Sequence, residues 1–363
     1  MKLSLLLIFV VLVAAEARPK DATDELIAVA VLFRHGDRTI IETYPNDPYK
    51  DRSNWPVGWG QLTNEGKQRH YELGQWFRIR YNGFLPETYS EDDIYVRSTN
   101  VDRTLMSGQA NLAGLYPPNE NQTWEDGLSW QPIPVHTMPE DEDDIVAMHK
   151  SCPKYDKLKQ DLLNSDYVNN LLKANQDLLD LVTEKGGQDC KTLVDVEYFH
   201  DTLKIEKEYY NMKLPDWTNS IYPSRTEPLA VISFTTGAFT EQMARLKTGP
   251  FFNHLLTHFR NVIAKNESAQ KFLMFPAHDT TVTNLLMAMQ SFDYKLAPYA
   301  ATLIFEVRRA DNVEYVNVIY KKDGELINLK VRGCEWNCPF EDFVKVLEPV
   351  TVPPEQWKEE CKV

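Results

Sequence analysis

The sequence has fewer basic than acidic residues, and outside its first residues it lacks a long apolar run. Lysine and arginine number 39 against 53 aspartates and glutamates, which gives a formal net charge of −14. Nucleic acid and anionic membrane surfaces repel a chain of this charge. No later apolar run reaches the length of a membrane span. We therefore expect no nucleic-acid partner and no membrane anchor.

Several catalytic motifs are also missing. Neither Cys152 nor Cys334 has an arginine six positions on, which excludes a loop in which cysteine attacks phosphate. The acidic run 140–144 lacks the threonine and the preceding strand of a haloacid-dehalogenase-type aspartate site, and is interpreted as a solvated face. His254 and His258 are four residues apart without an HExxH pattern, so a surface or lobe-contact role is favoured over a metal site. No metal and no cofactor is predicted.

Residues 1–17 are typical of a secretory signal peptide. A basic residue, Lys2, precedes the apolar stretch Leu3–Val13, and Ala15-Glu16-Ala17 resembles a cleavage site. The expected localisation is extracellular, with the lysosomal lumen as the alternative. The sequons at Asn121 and Asn266 are consistent with this route. Five cysteines in a secreted chain indicate two disulfides and one remaining thiol.

The most informative stretch is Arg34-His35-Gly36-Asp37-Arg38. It follows an apolar run, 26–33, that does not alternate and is therefore typical of a strand buried on both faces. Arginine side chains suit an oxyanion, and the histidine between them supplies a nucleophilic nitrogen. A charged turn after a core strand is the alternative interpretation.

Two further strand ends carry polar residues. Arg97 follows the short strand 94–96, and His278 with Asp279 follows the strand 271–275. In open α/β sheets the ligand crevice lies outside the carboxyl ends of the strands. The three junctions can therefore converge, and their positive charge favours phosphate over a carboxylate. Taken alone, 278–279 is equally consistent with a helix cap beside a satisfied histidine.

The fold class is predicted to be α/β, with a mixed, mostly parallel sheet flanked by helices and an inserted, mainly helical lobe. Helical periodicity with few strand signals sets residues 151 to about 217 apart from the rest. The predicted organisation is a signal peptide at 1–17, a first α/β part at 18–150, a helical lobe at 151–230 and a second α/β part at 231–363.

Several stretches of the sequence resemble the histidine acid phosphatases, the prostatic and lysosomal type of the histidine phosphatase superfamily. The similarity lies in RHGDRT at 34–39, NWPVGWGQLTNEG at 54–66, YVRSTNVDRTLMS at 95–107, WQPIPVHT at 130–137 and AHDTT at 277–281. They occur in the family's order and cover most of the mature chain.

The resemblance implies a metal-independent phosphoric monoester hydrolase that acts at acidic pH through a phosphohistidine. His35 is the implied nucleophile and Asp279 the implied proton donor. The implied phosphate ligands are Arg34, Arg38, Arg97 and His278. Small phosphomonoesters are the implied substrates, with phosphotyrosine peptides and lipid phosphates as further candidates, and a homodimer is implied as well.

The resemblance also implies the disulfides Cys152–Cys361 and Cys334–Cys338. Cys190 is then the free thiol, because Thr302 stands near the position of its partner in the prostatic type. A second departure from the family pattern is Ile40. The family often has a proline at this position, two residues after Arg38. A phosphomutase, a phytase-like inositol phosphatase and a binding protein that has lost turnover remain the alternatives.

Overall fold

The computed structural model describes residues 24–119, 121–266 and 268–363. The signal peptide expected at residues 1–17 lies outside this part of the chain. Within the described residues seven strands form one sheet. They are β1 (Glu25–Arg34), β2 (Ile94–Val96), β3 (Phe272–Ala277), β4 (Thr302–Ala310), β5 (Val313–Lys322), β6 (Glu325–Asn328) and β7 (Cys338–Pro339).

The strand order is β2-β3-β1-β4-β5-β6, and β7 also pairs with β5. The pairs β1·β3 and β2·β3 are parallel, whereas β1·β4, β4·β5, β5·β6 and β5·β7 are antiparallel. The predicted mixed sheet is confirmed, but only β1, β2 and β3 pair in parallel. Strand β4 pairs antiparallel with β1, and the strands that follow it form hairpins. The sequence predicts an antiparallel hairpin of residues 301–308 and 314–320 joined around Asp311-Asn312. Strands β4 and β5 form this hairpin, with Asp311 and Asn312 both at positive φ.

Helices surround the sheet. They are α1 (Asn64–Arg80), α2 (Asp102–Leu115), α3 (Pro153–Leu163), α4 (Asp166–Ala174), α5 (Gln176–Gly186), α6 (Leu193–Lys204), α7 (Thr226–Thr235), α8 (Glu241–Ile263), α9 (Asp279–Ala288), α10 (Phe340–Leu347) and α11 (Pro354–Glu360). A π-helical turn at Ile205–Tyr209 continues α6. In the sequence, Thr63 followed by Glu65 predicts the start of a helix. Thr63 does cap α1, since its hydroxyl accepts a hydrogen bond from the Gly66 amide.

Strand β1 is buried on both faces, as the run without alternation predicts. Ala28, Ala30 and Leu32 belong to a core that includes residues of α8, α9 and α10. The intervening residues, Val29, Val31 and Phe33, pack on the opposite face with residues of α1 and α2. This strand is therefore the centre of a sheet between two helical layers, and its end is held from both sides.

Residues 151–230 contain helices and no strand, in agreement with the predicted helical character of this segment. They enclose a further core of buried residues, among them Leu178, Val196 and Phe199, and Tyr44 from the loop after β1 packs into it. The bound expected at 230 falls inside α7, and the division into domains stays a prediction. No helix in the described ranges is long and apolar enough to cross a membrane.

Candidate active site

The ends of β1 and β3 bring two polar loops together. The strands are neighbours and parallel, with Arg34 opposite Ala277. The His35 amide donates to the Ala277 carbonyl at 2.9 Å. The rings of His35 and His278 consequently lie 5.7 Å apart, centroid to centroid. Residues separated by more than two hundred positions in the sequence thus share one crevice.

Close backbone packing fixes the path of the loop after β1. A Cβ atom on Gly36 would lie 2.3 Å from the Gly66 carbonyl oxygen, and one on Gly66 would lie 2.3 Å from the Asp37 carbonyl oxygen. Only glycine fits at either position without a backbone shift. The Thr63 amide donates to the Asp37 carbonyl at 2.9 Å, and the Gly36 amide donates to the Ser107 hydroxyl at 3.0 Å. Helices α1 and α2 therefore hold the loop in place.

His35 is 1% exposed and neutral. Burial lowers its pKa well below the ordinary value, and the charges of Arg34, Arg103 and Arg38 lower it further. Its Nδ1 lies 2.8 Å from the Gly36 carbonyl oxygen. Because a carbonyl can only accept, Nδ1 carries the hydrogen and Nε2 keeps its lone pair. This is the tautomer that can act as a nucleophile through Nε2.

The Arg34 guanidinium connects three elements. It forms an ion pair with Asp279 at 2.8 Å and donates to the Ala297 carbonyl at 2.6 Å. Its central carbon lies 4.2 Å from the centroid of the Tyr299 ring. The Tyr299 ring is itself 5.8 Å from that of His35. Tyr299 thus packs beside both side chains, and nothing in the local sequence had singled it out.

Arg38 is oriented by the helical segment. Both of its terminal nitrogens donate to the Asp201 carboxylate of α6, at 2.9 and 3.2 Å. A bidentate pair of this kind fixes the plane of the guanidinium. The helical segment therefore helps to orient a side chain that the loop after β1 carries.

His278 is buried and neutral. Its Nε2 lies 3.0 Å from the Thr99 hydroxyl, and its Nδ1 lies 3.5 Å from a terminal nitrogen of Arg103. Since a guanidinium can only donate, Nδ1 accepts and Nε2 carries the hydrogen. Burial, with the charge of Arg103 next in size, lowers the His278 pKa to about 3.

Asp279 begins α9, and its side chain is 17% exposed. Burial alone would raise the pKa of its carboxyl. The charges of Arg34 and Arg38 outweigh burial, and the net pKa lies below the ordinary value. The Thr280 amide also donates to its Oδ1 at 2.9 Å. Arg34 and Arg38 therefore favour the ionised form of Asp279 in the absence of a bound substrate.

Arg97 does not join these residues, contrary to the expectation from its strand-end position. Its guanidinium forms an ion pair with Asp143 at 2.7 Å, and the Asp143 side chain is fully buried. That carboxylate also accepts hydrogen bonds from the amides of Ile145, Val146 and Ala147, each at 3.0 Å. The pair thus anchors the loop 143–147, and Asp143 is not part of a solvated face as the acidic run suggested.

Arg103 takes the place expected for Arg97. It lies in the first turn of α2, six residues further on, and lines the same cavity as Arg34 and Arg38. It forms no ion pair with any described carboxylate. The sequence contained a pattern that could have predicted Arg103 in the crevice, because a residue in the first turn of a helix that follows a strand lies at the crevice edge of the sheet. The choice of Arg97 rested on the strand end alone.

The remaining predicted residues lie away from the crevice. Asn121 and Asn266 are exposed, as glycosylation requires. The structure contains the disulfides Cys152–Cys361 and Cys334–Cys338, and Cys190 is a buried free thiol. His258 lies 2.7 Å from the Gln270 carbonyl, and His254 packs on Phe275, which fits the contact role preferred for this pair.

The cavity above these side chains has a volume of about 1130 Å³. Arg34, Arg38, Arg103, His278 and Asp279 line it. Three guanidiniums around a neutral, buried imidazole, with a carboxyl at the same edge, can bind a phosphoryl group and present a nucleophile to it. The fold and the arrangement of these side chains therefore indicate a phosphoryl-transfer enzyme.

Comparison with known proteins agrees with this class. The family model of the histidine phosphatase superfamily, branch 2, matches residues 25–321. The chain is 38% identical to human lysosomal acid phosphatase over 352 residues, 95% of this chain and 82% of that protein. It is 37% identical to rat prostatic acid phosphatase over 365 residues, 99% of this chain and 94% of that protein.

Solved structures share the fold. A phytase from Hafnia alvei aligns with a TM-score of 0.68 at 16% identity and covers 96% of this chain and 100% of that one. A phytase from Citrobacter braakii aligns with a TM-score of 0.66 at 19% identity, covering 93% and 100%. The chain belongs to the histidine phosphatase superfamily, branch 2, among the histidine acid phosphatases. Membership confirms the expected class of enzyme, a phosphomonoester hydrolase.

Proposed function

We propose that the protein is a secreted acid phosphatase that hydrolyses phosphate monoesters through a covalent phosphohistidine at His35. The observation that carries the proposal is the tautomer of His35. Its Nδ1 is fixed by the Gly36 carbonyl 2.8 Å away, so Nε2 holds a lone pair even in acid. No metal is needed to generate such a nucleophile.

In the proposed first step, Nε2 of His35 attacks phosphorus, and the bond from phosphorus to the ester oxygen breaks. Asp279 gives its proton to that oxygen, and the alcohol leaves. Water then attacks the phosphohistidine and gives a proton to the Asp279 carboxylate, and phosphate and the neutral imidazole are released. Arg34, Arg38 and Arg103 bind the phosphoryl oxygens and stabilise the charge that they carry in the transition state. When Arg103 turns to the phosphoryl group, Nδ1 of His278 carries the hydrogen and donates it to a phosphoryl oxygen, while Nε2 accepts from the Thr99 hydroxyl.

This assignment replaces Arg97 by Arg103 among the phosphate ligands. Arg34 and Arg38 share their charge with Asp279 and Asp201, whereas Arg103 forms no described ion pair. A bound phosphate group brings negative charge beside Asp279 and competes for Arg34, so it raises the pKa of the carboxyl. This change supports Asp279 as a proton donor in the complex although it is ionised in the free enzyme.

The cell-biological part of the proposal rests on the signal-like residues 1–17, the exposed sequons and the two disulfides. These features support the secretory route, with the extracellular space as the proposed destination and the lysosomal lumen as the alternative. Phosphotyrosine peptides and lipid phosphates stay candidate substrates, and a homodimer stays a prediction.

Hydrolysis of 4-nitrophenyl phosphate at about pH 5 with a chelator present tests the activity. We expect turnover that the chelator leaves unchanged and that His35→Ala removes. Turnover that is lost with the chelator, or that survives in folded His35→Ala, would contradict the proposal.

A further inference from the structure

A chain of buried hydroxyl groups lies behind His278. The Thr99 hydroxyl is 3.0 Å from Nε2 of His278 and 2.7 Å from the Thr104 hydroxyl. Both threonines are 0% exposed. The Thr99 amide donates to the Pro276 carbonyl at 3.2 Å, which holds Thr99 against the end of β3, the strand that leads to His278. The two hydroxyls therefore reach the proposed phosphate site through the imidazole ring.

The partners of these hydroxyls fix the direction of each hydrogen bond in the free enzyme. Nδ1 of His278 accepts from the Arg103 guanidinium, so Nε2 carries the ring hydrogen and donates it to the Thr99 oxygen. The Thr99 hydroxyl then directs its own hydrogen to the Thr104 oxygen. The Thr104 hydroxyl donates in turn to the Val101 carbonyl at 2.7 Å. Each hydrogen along this chain thus has an acceptor.

A bound phosphoryl group requires the opposite direction. Once Arg103 has turned to the phosphoryl group, Nδ1 of His278 needs a hydrogen to donate to a phosphoryl oxygen. Nε2 is then left with a lone pair, which accepts from the Thr99 hydroxyl when that hydroxyl rotates. The Thr99 oxygen can accept in turn from Thr104. The ring carries one hydrogen in both arrangements, so the change requires no net uptake or release of a proton.

We propose that the Thr99 and Thr104 hydroxyls are positioning groups that set the tautomer of His278. Their reversal switches the ring from a partner of Arg103 to a ligand of the phosphoryl group. The inference rests on the proposed function and adds to it two residues that act through the imidazole. Threonine suits this role because a hydroxyl both donates and accepts, and because its hydrogen rotates to suit its partners.

The tautomer can be measured by NMR of protein labelled with ¹⁵N in its histidines, with His278 assigned by the signal that His278→Gln removes. In the parent we expect the Nε2-protonated form without ligand and the Nδ1-protonated form after inorganic phosphate is added at acidic pH. The same tautomer with and without bound phosphate, or a ring protonated at both nitrogens in the complex, would overturn the inference.

Thr104→Val gives the inference a direction. Valine keeps the shape of the side chain but removes the oxygen that accepts from Thr99 in the free enzyme, so the Thr99 hydrogen turns to Nε2 of His278. The Nδ1-protonated form should therefore increase before phosphate is added. Because less of the protein then has to change tautomer, calorimetry should show phosphate binding up to about tenfold tighter, the size of one buried hydrogen bond.

Two further variants separate this effect from a loss of packing. Thr104→Ser keeps the hydroxyl and should match the parent in tautomer and in phosphate affinity. Thr248→Val is the control, because the Thr248 hydroxyl is equally buried but donates to the Ala244 carbonyl within α8, at 2.8 Å. It should lower stability and leave both readouts unchanged.

An unchanged tautomer or weaker phosphate binding in folded Thr104→Val, or the same tautomer shift in Thr248→Val, would each overturn the inference. The tautomer and the affinity for phosphate are measured without turnover. Absence of 4-nitrophenyl phosphate hydrolysis in the parent would instead refute the proposed function.

Discussion

Replacement of Arg103 by alanine should lower kcat/KM strongly, although the sequence analysis did not predict Arg103 as a phosphate ligand. Arg34 and Arg38 are each partly neutralised by a carboxylate, so Arg103 supplies the charge that a phosphoryl group finds uncompensated. Loss of one preorganised donor from an oxyanion site costs about 3–4 kcal/mol, or a factor of roughly 10²–10³. We expect kcat/KM to fall by that factor, and Arg103→Lys to recover part of it because the charge returns without the planar fork.

A second readout follows from the electrostatics of His35. Burial is the largest cause of its low pKa, and Arg103 is one of the charges that lower it further. In Arg103→Ala the His35 pKa should therefore rise, and the acidic limb of the pH–rate profile should move toward neutrality. A residue that only supported the fold would lower the rate without moving this limb.

Arg97→Ala is the matched control, since it removes the same side chain from a position that the sequence alone had favoured. It leaves the buried Asp143 without its cation, and breaking a buried pair of this kind costs about 3 kcal/mol of stability. We expect lower stability in urea unfolding but kcat/KM within about threefold of the parent for the folded protein. If Arg97→Ala lost the activity and Arg103→Ala kept it, the placement of the phosphate site would be refuted.

Three further predictions follow. Asp279→Asn should slow phosphorylation far more with an alkyl phosphate than with 4-nitrophenyl phosphate, because nitrophenolate leaves without a proton; equal slowing in pre-steady-state bursts would make Asp279 a positioning residue. Thiol titration of the denatured, unreduced mature protein should find one sulfhydryl, Cys190, and a count of none or of three would contradict the pairing described here. Burial, with the Asp47 carboxyl beside it, raises the Glu206 pKa above its value in the unfolded chain, so stability should fall as pH rises above the unfolded-state pKa. Glu206→Gln should flatten that fall in urea unfolding measured at several pH values, and an unchanged slope would count against the buried proton.

Local sequence patterns predicted those features of the fold that depend on neighbouring residues in the chain. The unbroken apolar run gave β1 its two buried faces, Thr63 predicted the start of α1, and Asp311-Asn312 predicted the hairpin turn. The convergence of β1 and β3 also followed, because parallel neighbours end at the same edge. The antiparallel half of the sheet was underestimated, since the pairing of β4 with β1 depends on contacts distant in the sequence.

The site was predictable where a side chain directly follows a strand, and less so where tertiary contacts decide. Arg97 follows a strand as Arg34 does, but the buried Asp143 removes it from the crevice. Arg103 enters the crevice from the first turn of a helix. Tyr299 and Asp201 reach the site from a loop and from the helical segment, and no local pattern marks either of them.

The proposed reaction depends on a phosphoryl group bound covalently to His35, and this intermediate can be trapped. The parent enzyme is mixed with ³²P-labelled 4-nitrophenyl phosphate for milliseconds, quenched without acid, digested and analysed by mass spectrometry. We expect an alkali-stable, acid-labile label on the peptide that contains His35, and no label in His35→Ala. Label on any other residue of the parent, or equal burst phosphorylation of the variant, would contradict it.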